Sequence, residues 1–62
     1  MGAKIRQFRE QAGLTQKQLA DAVGVDPSAV TKWESGENHP TAARIMQIAD
    51  VLGCNPGDLF AE

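Results

Sequence analysis

The sequence predicts an all-α fold of five short helices. Three observations carry this: apolar residues recur at three- and four-residue spacing, no segment alternates with period two over a strand's length, and capping residues and glycine or proline stops punctuate the chain at matching places. With 62 residues and a 42% hydrophobic fraction, the chain makes one domain, residues 1–62, near the lower limit for a self-sufficient core. Only efficiently packed helices can build that core.

The first helix is expected from Ala3 to Ala12, with Ile5, Phe8 and Ala12 on one face and Gly13 as its stop. Thr15 then caps a second helix, and Gln18, three residues later, completes a capping box. Leu19, Ala20 and Val23 form its apolar stripe, and Gly24 is placed to end it in a left-handed conformation. Asp26 caps a third helix with Pro27 at its first position, where a missing N–H does no harm. This helix buries Val30 and Trp33 and stops at Gly36. A polar loop closed by Pro40 leads to Thr41, which caps a fourth helix, Ala42 to Leu52, burying Ile45, Ile48, Ala49 and Leu52. Gly53 ends it. Asn55 is expected to cap the last helix, PGDLFAE, with Leu59 and Phe60 turned inward.

Two charges sit oddly against this pattern. Arg9 follows Ile5 by four and flanks the apolar stripe, while Glu34 follows Val30 by four and Trp33 by one. Opposite charges at the edges of two core faces are most economically partners, and arginine's planar fork suits a carboxylate. On the third helix, Ser28, Thr31, Lys32 and Ser35 share the face opposite Val30 and Trp33. That face holds short hydrogen-bonding side chains and one lysine, with no acid. Such a helix can press its exposed side into the major groove of a duplex.

The net charge of −2 is unusual for a DNA-binding domain. Its distribution is less so. Residues 1–32 carry Lys4, Arg6, Arg9, Lys17 and Lys32 against Glu10, Asp21 and Asp26, a balance of +2. Residues 33–62 carry Arg44 against Glu34, Glu37, Asp50, Asp58 and Glu62, a balance of −4. The positive half contains the DNA-facing candidates and can orient on phosphate. Weak non-specific affinity is expected.

Other chemistry finds little support. The lone Cys54 rules out an internal disulfide and suits a reduced, cytoplasmic protein. Cys54 and His39 are too few for a structural zinc site, and the chain is too short to set them in a catalytic pocket. No metal, cofactor or enzymatic activity is expected. The start, MGAKIRQFREQAG, is charged throughout and does not read as a signal sequence. Arg6 stands where a myristoylation motif wants Ser or Thr. No apolar run approaches the ~20 residues that span a bilayer.

The spacing within residues 15–36, TQKQLADAVGVDPSAVTKWESG, is the sharpest signal. Small Ala20 allows two helix backbones to approach, Gly24 permits the turn, and Val30 and Trp33 close the core over it. This stretch closely resembles the Cro/repressor-type (Xre-type) helix-turn-helix domain of phage and bacterial regulators, and the resemblance extends from Ile5 to Phe60. It implies a lambda-repressor-like five-helix fold and sequence-specific binding of double-stranded DNA, as a transcriptional regulator and repressor. It also implies a homodimer on a pseudo-palindromic operator, with pairing around Leu59 and Phe60 and in the loop before Pro40. The family pairs an arginine and a glutamate where Arg9 and Glu34 stand. Gln16 matches a glutamine that contacts the phosphate backbone and braces the recognition helix, and Lys17 is a second phosphate candidate. Base-edge reading falls to Pro27, Ser28, Thr31 and Lys32, and backbone or minor-groove approach to the loop of Asn38, His39 and Thr41. Pro27 departs from the pattern, because some phage repressors present a glutamine there and proline offers only apolar contact. A protein-interaction or antitoxin-like module on the same fold stays open as the alternative.

Overall fold

The structure, a computed structural model, describes residues 1–60, and the extension of the last helix over 61–62 lies outside them. Five helices follow one another: α1 (Gly2–Gln11), α2 (Gln16–Val23), α3 (Pro27–Ser35), α4 (Ala42–Leu52) and α5 (Pro56–Phe60). No strand occurs among the described residues. One core holds them together. Ile5, Leu19, Val30, Ile48 and Leu59, one from each helix, are fully buried in it, joined by Ala20, Val23, Trp33, Ile45 and Ala49.

The local signals act as the sequence suggests at most helix ends. Thr15 and Gln18 form a reciprocal capping box: the Gln18 N–H donates to Thr15 Oγ1 at 3.0 Å, and the Thr15 N–H donates to Gln18 Oε1 at 2.9 Å. The Asp26 carboxylate accepts from the Ser28 N–H at 2.9 Å, with Pro27 at the first helical position. Thr41 accepts from the Arg44 N–H at 3.2 Å. Between α2 and α3 the chain reverses at Gly24, φ +84°, where a side chain would be strained. With Ala20 fully buried, that turn brings α3 across α2 at close range.

Five expectations need correcting. α1 begins at Gly2 with Met1 as its uncapped start, and Ala12, expected on the buried face, is its exposed carboxy-terminal cap. Here the chain is already leaving the core for the turn at Gly13. Leu52, in the last turn of α4, is half-buried and packs against the edge of the core. In α5, Leu59 occupies the core alone while Phe60 is 56% exposed, because adjacent residues on a helix point about 100° apart and this short helix has one inner face. The contact that closes its start runs the other way from the expected cap: the Asp58 carboxylate accepts from the Asn55 N–H at 3.1 Å.

One contact gave no signal in the sequence. A side chain at Gly2 would place its Cβ 2.5 Å from the Trp33 carbonyl oxygen and 2.6 Å from that of Glu34. The first turn of α1 therefore lies directly on the last turn of α3, and only glycine fits. Gly2→Ala is expected to destabilise by ~1–3 kcal/mol through this forced shift. Gly57→Ala, where nothing lies within 4 Å, should be close to neutral. Chemical denaturation of the two variants compares them directly.

Candidate nucleic-acid interface

The centre of the candidate interface is a polar cluster where α1, α2 and α3 meet. Arg9 Nε donates to Glu34 Oε2 at 2.6 Å and Nη2 donates to Oε1 at 3.1 Å, a bidentate pair. Arg9 Nη1 donates to the Leu14 carbonyl at 2.8 Å, tying α1 to the loop before α2. The two side chains are 11% and 5% exposed. Hydrogen bonding and charge attraction from Glu34 raise the Arg9 guanidinium above its already high ordinary value, against the opposing cost of burial. Among the described residues no buried side-chain polar atom lacks a partner. The pair links α1 to α3 and fixes the tilt of α3 relative to the rest of the domain.

Gln16, half-buried at the first position of α2, extends this cluster outward. Its Nε2 donates to Glu34 Oε1 at 3.0 Å, and its Oε1 accepts from the Thr31 hydroxyl at 2.9 Å. Thr31 Oγ1 also lies 3.3 Å from the Pro27 carbonyl. Arg6, Arg9, Gln16, Thr31, Glu34 and Ser35 line a shallow groove over these contacts. A primary amide has two donors, so Gln16 keeps one N–H for a phosphate oxygen even while bracing Glu34.

The remaining sequence-predicted residues are exposed to solvent. Pro27, Ser28, Thr31 and Lys32 are all exposed on α3, and Ser35 continues the same face. Lys32 Nζ stands 4.0 Å from Glu37 in the following loop, with both side chains well exposed. A pair this open contributes ~0–1 kcal/mol, so the lysine is readily drawn to another anion. Lys17 is exposed and paired with Asp21, four residues along α2, at 3.0 Å. Asn38 and His39 are exposed in the loop after α3, where the Asn38 N–H donates to the Lys32 carbonyl at 3.2 Å. The pyrrolidine ring of Pro27 offers only apolar surface at the leading end of α3.

Sequence reasoning missed Arg44, which it read only as charge. Arg44 Nη1 donates to the Val23 carbonyl at 2.9 Å and to Gln47 Oε1 at 2.9 Å, closing the carboxy-terminal end of α2 from α4. A cation there also suits the negative end of the helix dipole. No periodicity reveals such a contact, because the partner is a backbone oxygen 21 residues away. Cys54 is half-buried beside the core, and desolvation, then the nearby Asp58 charge, pushes its thiol up. Among the described residues no group of three potential metal ligands occurs, and no helix is long and apolar enough to cross a membrane.

Two outcomes test this geometry. Glu34→Ala strands the Arg9 charge and should cost ~3–5 kcal/mol, against within ~0.5 kcal/mol for exposed Arg6→Ala, by urea denaturation. The Asp26 carboxyl is held below its ordinary value by its hydrogen bonds to Ser28. A lowered folded-state pKa stabilises fully above the unfolded value, ~3.9, and the effect is lost as pH falls through the folded value. Asp26→Asn keeps a capping oxygen without that titration. The melting-temperature gap between wild type and Asp26→Asn should therefore shrink from pH 6 to pH 2.

Comparison with known proteins places this geometry among related chains. A helix-turn-helix family model matches residues 5–59. The HTH-type transcriptional regulator y4aM of Sinorhizobium fredii is 37% identical over 62 residues, all of this chain and 43% of its own length. The chain thus spans less than half of that relative. The restriction-modification controller protein C.AhdI of Aeromonas hydrophila superposes with a TM-score of 0.89 at 34% identity, covering 95% of this chain and 89% of that one. The c2 repressor of Salmonella phage P22, solved in complex with a synthetic operator, superposes with a TM-score of 0.88 at 31% identity, covering 94% of this chain and 88% of its own.

Proposed function

We propose a DNA-reading role for this chain, which belongs to the Xre-type helix-turn-helix family: it binds duplex DNA sequence-specifically, as a cytoplasmic transcriptional regulator that acts as a repressor and without catalysis. One observation carries the reading. The exposed face of α3, with Ser28, Thr31 and Lys32, is free of acids, and a buried ion pair and a bracing glutamine hold it rigidly behind. The P22 repressor, whose fold this chain shares, has been solved on an operator.

In this reading α3 lies in the major groove and α2 crosses the backbone. The amino-terminal turn of α2 presents Gln16 and Lys17 to phosphate, where outward backbone N–H groups also favour an anion. Ser28, Thr31 and Lys32 reach base edges, Pro27 offers apolar contact of the kind a thymine methyl accepts, and Asn38 approaches the backbone beside the groove. One such domain makes few contacts, so useful affinity calls for a homodimer. A two-fold pair would set its recognition helices ~34 Å apart and require a pseudo-palindromic site. Leu59 is sealed in the core and cannot serve that contact; Phe60, 56% exposed, is the apolar side chain at that end that can.

Selection of bound duplexes from a random library at low salt tests the proposal. Enrichment of an inverted repeat with half-sites about one helical turn apart is the expected result. No enrichment by a folded, helical protein would favour the protein-interaction reading instead. On the enriched site, Lys32→Ala should weaken binding by ~1–3 kcal/mol if it reads a base. A loss uniform across sequences, with the salt slope reduced by about one, would make it a phosphate contact.

A further inference from the structure

The polar cluster does more than hold α3 in place. It fixes the donor and acceptor at each step from Arg9 through Glu34 and Gln16 to Thr31. Arg9 cannot deprotonate in a protein, so Glu34, gripped by it twice, is an ionised carboxylate that only accepts hydrogen bonds. Gln16 must then turn its NH2 toward Glu34, because the flipped amide would set two oxygens against each other 3.0 Å apart. The Gln16 carbonyl oxygen is thereby forced toward Thr31. An amide oxygen accepts only, so the Thr31 hydroxyl donates across the 2.9 Å gap. Its other neighbour, the Pro27 carbonyl at 3.3 Å, is also an acceptor. The single hydroxyl proton of Thr31 is therefore committed inward, and what the exposed oxygen presents to a ligand is lone pairs.

We propose that Thr31 is a specificity-determining residue of fixed polarity, an acceptor that reads an exocyclic amino group, adenine N6 or cytosine N4, on the DNA strand it approaches. Guanine and thymine present O6, N7 or O4 there, all acceptors, and meet the Thr31 oxygen lone pair to lone pair. A free threonine hydroxyl would serve either class by rotation. This one cannot without breaking its bond to Gln16. The inference rests on the DNA-binding reading above and adds to it the class of base that one position selects.

The test uses Thr31→Val, which removes the hydroxyl but keeps the branched shape at an exposed position, and Gln16→Met, which removes the nearer acceptor and leaves the hydroxyl proton only the 3.3 Å contact to the Pro27 carbonyl. Random-library selections with wild type and Thr31→Val should differ at one position per half-site, where wild type prefers A or C. Replacing that adenine by purine, or that cytosine by 2-pyrimidinone, deletes only the amino group. This should weaken wild-type binding roughly ten-fold and leave Thr31→Val unchanged. Gln16→Met, checked as folded by circular dichroism, should bind with its discrimination at that position reduced to about two-fold or less. A preference for G or T at the Thr31-dependent position would overturn the proposal. So would amino deletion without effect, or a Thr31→Val selection identical to wild type; in each of these cases the DNA-binding reading survives. If wild type enriches no sequence at all, both fall together.

Discussion

Arg9 and Glu34 are the interaction on which the arrangement turns. Each sits at the rim of its own helix's apolar face, and neither is tolerable there alone, since an isolated buried charge costs several kcal/mol. Together, with the Leu14 carbonyl and the Gln16 amide completing their hydrogen bonds, they become a rigid bolt through α1, the loop before α2, α2 and α3. A domain of this size has a total stability of only ~3–9 kcal/mol at ordinary values per residue. One stranded charge therefore consumes a large part of it. Apolar packing alone would leave α3 free to roll or slide by fractions of a turn, whereas a bidentate pair admits one geometry.

That rigidity matters because the exposed face of α3 is made of short side chains. Serine and threonine cannot search for partners as lysine or arginine can; they contact what lies within about 3 Å of a hydroxyl held close to the backbone. A reading helix of this kind works only on a stiff mount. Gly2, pressed against the Trp33 and Glu34 carbonyls, and Arg44, closing α2 at the Val23 carbonyl, belong to the same mount from opposite sides. The reading face and the core are thus one mechanical object. Of the acidic half, Glu34 is neutralised by Arg9 and Glu37 rests against Lys32.

The turn chemistry was the most legible part of this molecule. Thr15 with Gln18, Asp26 with Pro27, Thr41, and the glycines at 24, 36 and 53 act through residues next to them in sequence, so a linear reading captures them. Periodicity likewise placed Ile5, Leu19, Val30 and Ile48 in the core. It failed at helix ends, where the pattern continues but the burial does not: Ala12 is an exposed cap, and Leu52 is only half-buried against the core. Leu59 and Phe60 were indistinguishable as apolar neighbours until five residues of helix had to choose one face. At the candidate interface the family resemblance proposed the positions, but it carried nothing of the wiring behind them. That Gln16 bonds Glu34 and Thr31 at once depends on a meeting of α2 and α3 at a few ångströms, which no spacing rule specifies.

The most direct measurement is a heteronuclear NMR titration of the isotope-labelled protein with an operator duplex. Binding through α3 predicts that amide shifts concentrate at residues 16–17, 28–32 and 38, while the surface around Met46, 65% exposed on α4, stays unchanged. Shifts centred on Met46 and the α4 surface, with residues 28–32 unmoved, would contradict the account and place the binding function elsewhere on the domain.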